Sequence, residues 1–402
     1  MTVAGIIAEY NPFHNGHKYQ IEQLRKQGIT HIAAVMSGNF VQRGDAAVCS
    51  KWARAKMALV GGVDLVIELP VAYSLASAER FAMGGVGLLN ALGLIDILAF
   101  GSESGNVKIL EKTAKAVSSQ RTNDAVKKHL QNGLTYPAAL EQAVRETAGR
   151  DEAGILRNPN DTLGVAYIAA LNKTISKILP RTVKRKGAAH DGEDIFIEKN
   201  GEYISSASYI RKLLFENADV SRFMPKPVYD ILQEEIETGR APACLETAER
   251  AVLSRLRALS AEQLGKIADT SEGIENRLFN AIQSAGTINE IYAEVKCKRY
   301  TLARIRRLVC CAVLSLTKEV VNIPPRYIRI LGCGERGQEI LRRAKKTTTL
   351  PIVMKYGDIA ELGKEAVCVF EREVTAMGLY GLFTKKVCLP TEEMTTSAVI
   401  IK

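Results

Sequence analysis

Gly5-Ile6-Ile7-Ala8-Glu9-Tyr10-Asn11-Pro12-Phe13-His14-Asn15-Gly16-His17 is an apolar run of strand length that breaks at Asn11-Pro12 and ends in two histidines flanking an asparagine and a glycine. A helix-like segment begins at Lys18. A buried strand delivers such a loop to the edge of a sheet, and Gly16 lets backbone and ligand approach closely. Two imidazoles three positions apart at a helix N-terminus can face one ligand beside the positive end of the helix dipole. Only five histidines occur in the chain, and two stand at this junction. The pattern suits the phosphates of a nucleotide.

Outward from this stretch, short apolar runs alternate with helical periodicity. Strands are expected over 3–8, 30–36, 64–68, 95–100 and 179–186, with helices over 18–27, 50–60, 72–92 and 162–172, the last capped by Asn160 or Asp161. This alternation predicts an α/β fold with a doubly wound, parallel, Rossmann-like sheet. The polar, glycine-bearing loops all follow strands (the histidine loop, 37–49 and 101–104), and ligands in such folds gather at the carboxyl ends of strands. Residues 106–148 read as helical. Beyond Pro225-Lys226-Pro227 the chain is nearly all helix to about 318, and strand signals resume at 327–331, 352–354 and 367–370, with a basic helix over 338–346. The expected division is a catalytic domain over 1–220, a helical region over 221–321 and a small C-terminal α/β unit over 322–402.

The 402 residues are 47% apolar and 24% charged, the composition of a soluble globular protein, with a net charge of +10 that points to a polyanionic partner. Eight scattered cysteines form no C-x-x-C and no zinc-like spacing. Reduced thiols, the absence of signal-peptide features and an apolar stretch at 85–100 broken by Asn90 and Asp96 predict a cytoplasmic protein without a membrane span.

A second motif, Ile204-Ser205-Ser206-Ala207-Ser208-Tyr209-Ile210-Arg211, offers hydroxyls and amides at a helix start followed by an arginine. Ser205, Ser206 and Arg211 are therefore candidates for the β- and γ-phosphates of ATP, although a plain serine cap explains the serines as well. With the upstream H-x-G-H the sequence resembles the nucleotidyltransferase superfamily. Longer runs are similar to one member family, the bacterial tRNA-Met cytidine acetate ligases: A-E-Y-N-P-F-H-N-G-H-K (8–18), M-S-G-N-F-V-Q-R-G (36–44), S-K-W-A-R-A-K-M-A-L (50–59), G-V-D-L-V-I-E-L-P (62–70), F-G-S-E-S (100–104) and N-P-N-D-T-L-G (158–164). In the tail the signal is K-R-Y-T-x-A-R-I-R-R (298–307) and P-P-R-Y-I-R-I-L-G (324–332). The stretch A-A-H-D-G-E-D (188–194) departs from the family pattern and leaves His190 and Asp191 without a role.

The resemblance implies that ATP and acetate form acetyl-adenylate, whose acetyl group passes to the exocyclic amine of the wobble cytidine of elongator tRNA-Met. His14 and His17 would be catalytic. The implied ATP contacts are Ile7, Ala8, Glu9, Tyr10, Asn11, Pro12, Phe13, His14, Asn15, Gly16, His17, Lys18 and Tyr19, with Gly101, Asn160 and Arg185. Mg2+ is expected with ATP, and no carboxylate cluster announces a protein cage for it.

A two-carbon acid offers little binding surface, so its pocket must be small. Asn39, Gln42 and Arg43 are the expected place for it, with phosphate or RNA as the other partner open to Arg43; Ser50, Lys51 and Arg54 stand near the same rim, where a plain charged face explains Lys51 and Arg54 as well. Asp64 and Glu68 read as a cap or core pair. RNA binding is expected on 296–307, where Lys298, Arg299, Arg304, Arg306 and Arg307 cluster beside Tyr300, a candidate to stack on a base. Arg342, Arg343, Lys345 and Lys346 form a second cluster. Two other readings stay open: an adenylyltransferase acting on a phosphorylated metabolite, and a catalytically silent RNA-binding protein on the same scaffold.

Overall fold

The computed structural model describes residues 1–186, 195–197, 201–271 and 273–402; His190 and Asp191 lie outside them. The strands in chain order are β1 (Val3–Ala8), β2 (His31–Ser37), β3 (Phe40–Val41), β4 (Asp45–Ala46), β5 (Leu65–Leu69), β6 (Ile97–Ser102), β7 (Leu179–Lys184), β8 (Phe196–Ile197), β9 (Tyr203–Ile204), β10 (Ile328–Cys333), β11 (Ile352–Val353) and β12 (Val399–Ile400). Eight of them form one sheet in the order β11-β10-β5-β2-β1-β6-β7, with β12 also paired to β10. From β5 to β7 all pairings are parallel.

The chain builds outward from β1 in one direction through β2 and β5, then crosses to its other side for β6 and β7. The reversal opens a crevice at the carboxyl ends of β1 and β6, where a doubly wound sheet binds its ligand. Both faces of the sheet are covered, so its strands read as continuous apolar runs. Val3, Ile7, Ala33, Val35, Leu65 and Ile67 join the core on one face. Ala4, Ile6, Ile32, Ala34, Met36 and Val66 join that on the other. The period of two sorts adjacent residues to opposite helical layers.

Three local expectations are corrected. The segment 37–49, read as a loop, contains the antiparallel hairpin β3–β4, with Phe40 opposite Ala46. Residues 367–370 are not a strand but part of the helix Lys364–Tyr380, whose buried Ala366, Val369, Phe370, Glu373, Ala376, Met377 and Tyr380 recur at helical spacing. The C-terminal strands form no sheet of their own, because β10 runs antiparallel along β5 and covers what would be an open edge of the main sheet. The sheet is thus mostly, not wholly, parallel. The helices of the middle region pack Leu256, Ile282, Ile305 and Leu308 into one core with Phe40, Leu75, Tyr380 and Phe383 from the flanking segments.

Candidate active site

At the end of β1 the chain turns through Tyr10, in the left-handed region at φ 46°, and enters the helix Asn15–Lys26 with His14 as its N-cap. The amide of Gly16 donates to His14 Nδ1 at 3.0 Å, and that of His14 donates to His17 Nδ1 at 3.2 Å. A Cβ on Gly16 would stand 2.8 Å from the His14 ring, so glycine is what lets the imidazole reach that amide. Each Nδ1 accepts a backbone N–H, which assigns the proton of each neutral ring to Nε2. Burial, with Arg185 and Arg211, pushes His14 down to about 3. Burial, His14 and Arg185 hold His17 well below the usual imidazole value. Both rings are neutral at pH 7, and each has an Nε2–H to offer. They stack with centroids 3.8 Å apart, and Tyr10 sets its ring edge-on to His17 at 4.8 Å.

The cavity above these rings is also lined by Ile7, Ala8, Glu9, Tyr10, Asn11, Gly16 and Tyr19 from the first motif, and by Gly101, Asn160, Arg185, Ser205, Ser206 and Arg211 from distant ones. Ser206 caps the helix Ala207–Phe215, its hydroxyl accepting from the Tyr209 amide at 3.1 Å. Arg211 donates to the Asn11 carbonyl at 2.9 Å and to Ser208 Oγ at 3.2 Å, which ties this helix to the histidine turn. The Asn160 amide group donates to Glu103 at 2.5 Å. Asp161 caps nothing in its own helix, which begins after Asn158; instead it accepts from the Ser104 hydroxyl at 2.9 Å. Arg185 is anchored through its own amide to the Ser102 carbonyl at 2.9 Å. Burial lowers its guanidinium from the usual value, and Glu103 opposes that. These bonds hold three loops at one sheet edge.

Four residues of the contiguous segment do not line the cavity. Pro12 and Phe13 turn into the core, and Asn15 donates to the carbonyls of Tyr203 and Arg222 at 3.0 and 3.1 Å. Lys18 faces outward to Glu202 at 2.6 Å. Of the residues expected around acetate, Gln42 and Arg43 line the cavity, whereas Asn39, Ser50, Lys51 and Arg54 are buried behind it. Arg54 donates to the carbonyls of Glu9, Ser37, Gly38 and Cys49, clamping the ends of β1 and β2 together. The cavity also has an apolar wall of Phe81, Phe100, Leu163 and Tyr167, which local reading assigned only to helix and strand cores.

The basic segment divides in two. Lys298 and Arg299 are exposed in the loop before the helix Leu302–Val313. Arg304 and Arg307 are half-buried and pair with Asp269 at 3.7 and 3.2 Å. Tyr300 is not available for stacking on a base, because it is only 6% exposed and packs in the middle core under Arg304.

A Rossmann-like sheet with paired Nε2–H imidazoles at its switch point defines a nucleotidyltransferase of the H-x-G-H class. The family described as HIGH Nucleotidyl Transferase matches residues 1–394. The tRNA(Met) cytidine acetate ligase of Acetivibrio thermocellus is 39% identical over 397 residues, covering 94% of each chain. That of Thermosipho africanus is 36% identical over 407 residues, covering 95% of each. Among solved structures, apo Thermotoga maritima TmcAL matches with a TM-score of 0.93 at 34% identity, and the form bound with alpha-thio ATP with 0.91 at 33%, each over 100% of both chains. The chain belongs to the tRNA(Met) cytidine acetate ligase family. Among the described residues, no helix is long and apolar enough to cross a membrane.

Proposed function

We propose that the protein activates acetate with ATP to acetyl-adenylate and transfers the acetyl group to the exocyclic amine of the wobble cytidine of elongator tRNA-Met. The observation that carries this reading is the His14–His17 pair, held as two Nε2–H donors on the wall of a cavity shared with Arg185 and Arg211, in a chain alike from end to end to named ligases. An acetate oxygen attacks the α-phosphorus, and pyrophosphate leaves. The imidazoles donate to phosphoryl oxygens as charge shifts onto them; one preorganised donor of this kind is typically worth about a hundred- to thousandfold in rate. Arg211, Ser205 and Ser206 hold the β- and γ-phosphates at the start of the helix Ala207–Phe215, where the dipole favours negative charge. Arg185, Gly101 and Asn160 would meet the nucleoside side of ATP.

Magnesium would arrive with the triphosphate of ATP. Lys298, Arg299, Arg304, Arg306 and Arg307 remain the proposed tRNA contacts. A tRNA-modifying enzyme of this kind works in the cytoplasm.

The direct test is incubation with labelled acetate, ATP and bulk tRNA, followed by nucleoside analysis; label should appear in N4-acetylcytidine. ATP–pyrophosphate exchange should require acetate. Exchange that ignores acetate and depends on a phosphorylated metabolite would replace this reading with that of a small-molecule adenylyltransferase.

A further inference from the structure

A second cavity of about 350 Å³ opens beside the first, within the roughly 300–1,000 Å³ common for ligand sites. Glu9, Asn11, Arg43, Ser208 and Arg211 line both cavities, so the two adjoin around the histidine turn. The remaining wall comes from the β3–β4 hairpin through Val41 and Asp45, from the helix Ala207–Phe215 through Tyr209 and Lys212, and from the basic helix Leu302–Val313 through Arg306. The hairpin is pressed onto that helix: Gly44 has a φ of +77°, and a Cβ there would fall 2.2 Å from the Arg307 amide nitrogen. Arg306 lies over the Tyr292 ring at 5.5 Å, and among the described residues its buried Nε has no hydrogen-bond partner.

We propose that this second cavity receives the acceptor nucleotide of the tRNA, with Arg306 and Lys212 on its flanking phosphates and Asp45 accepting a hydrogen bond from the exocyclic amine of the base. The inference rests on the function proposed above and adds the place of the second substrate. Four cations (Arg43, Arg211, Lys212 and Arg306) suit a nucleic-acid backbone. They also suit an overflow of the pyrophosphate tail, and Asp45 decides between the two. Its carboxylate lines the second cavity and not the first; there it repels a polyphosphate and is the natural acceptor for a cytosine amine. Uracil presents a carbonyl at that position and would meet repulsion. Asp45 is fixed by accepting from the Ala46 amide at 2.8 Å. Burial and Glu246 raise its carboxyl to about 6 while Arg306 and Arg211 pull it down, so it is ionised at neutral pH. The shared lining places the amine next to the cavity in which acetyl-adenylate would form.

The two half-reactions separate the outcomes. Asp45→Asn and Arg306→Gln should each lower acetyl transfer to tRNA roughly ten- to hundredfold under single turnover, the size of one lost base-edge or phosphate contact. Acetate-dependent ATP–pyrophosphate exchange, measured without tRNA, should stay within about twofold of the parent in both. Exchange falling in step with transfer would assign the cavity to pyrophosphate and overturn the proposal. Unchanged transfer in both variants would overturn it equally. Lys212→Gln, at the rim of the same cavity, gives a third reading should either replacement unfold the protein. A parent protein with no acetate-dependent exchange would instead remove the reading on which the inference stands.

Discussion

His14 turns the two nitrogens of its ring in different directions, and the division makes its proposed chemistry separable from its structural role. Nδ1 takes the orphan amide of Gly16 at the helix start, while Nε2 is left for the cavity. An asparagine oxygen can stand where Nδ1 stands, but no atom of asparagine reaches the position of Nε2. His14→Asn should therefore keep the cap and cost at most about 1 kcal/mol of stability. Acetate-dependent exchange should fall by roughly a hundredfold or more. Urea unfolding read beside exchange rates checks both halves, and equal exchange in the variant would remove the ring from the chemistry. Titration supplies a second expectation. Both histidines titrate in the fold below their ordinary 6.5, His14 at about 3. Between those values the unfolded chain binds protons that the native one refuses. Their contribution to stability should be whole above pH 6.5 and decline as pH falls, by up to ~1.4 kcal/mol per pH unit for each ring. Unfolding series from pH 7 to 4 should show a shallower decline for His14→Asn than for the parent.

The loop and helix that carry the basic segment assign its cations to different work. Lys298 and Arg299 stand exposed ahead of the helix, while Arg304 and Arg307 hold Asp269. Replacing Lys298 and Arg299 together by alanine should weaken tRNA binding and reduce the slope of log affinity against log salt by about two, with the fold intact. Replacing Arg304 and Arg307 should also lower stability, by on the order of 1 kcal/mol, because Asp269 loses both partners. Filter binding over a salt series, beside thermal unfolding, distinguishes the pairs; an unchanged slope in the first variant would move the RNA elsewhere. The helix itself was legible, since Leu302, Ile305 and Val309 mark its inner face, but the acid beneath Arg304 lies 35 positions upstream and local periodicity cannot see it. The strands β1, β2, β5, β6 and β7 were legible for the opposite reason: each is an apolar run bounded by turn residues. The run Val367-Cys368-Val369-Phe370 has the same look in isolation, and only the longer spacing through Glu373, Ala376 and Tyr380 marks it as helix. The histidine turn, Arg185 and Arg211 reach one cavity because they follow strands or open a helix at the sheet edge. The apolar wall of Phe81, Phe100 and Tyr167 carried no separate signal, because core and ligand-facing aromatics look alike in a sequence.

What joins the first seventy residues to the last seventy-five is a cluster of charges with almost no access to water. Lys51 contacts Glu68 at 2.5 Å and Glu393 at 2.6 Å, Arg329 contacts both of these carboxylates, and Glu373 accepts from the Val71 amide at 2.6 Å. Lys51 looked like a rim residue because its partner Glu393 lies 342 positions away. Removing Lys51 leaves two buried carboxylates, Glu68 and Glu393, sharing Arg329, so Lys51→Met should cost about 3–5 kcal/mol and loosen β10 from β5. The opposite result is expected for Glu373. Two cations face three carboxyls, and burial together with Glu68 raises Glu373 to about 8, so a neutral Glu373 balances the cluster at pH 7. A carboxyl raised in the fold gives stability that is complete below its ordinary value near 4.5 and lost as pH climbs through 8. The contribution of Glu373 should therefore decline across that window, by up to ~1.4 kcal/mol per pH unit, opposed by the two histidines below pH 6.5 and unopposed by them above it. Glu373→Gln keeps an acceptor for the Val71 amide and removes the ionisable proton, so it should flatten the decline and be the more stable protein at pH 8. Urea midpoints at pH 5, 6.5 and 8 test this. Parallel curves for the two proteins would mean that Glu373 ionises freely and that another group carries the proton which keeps the junction neutral.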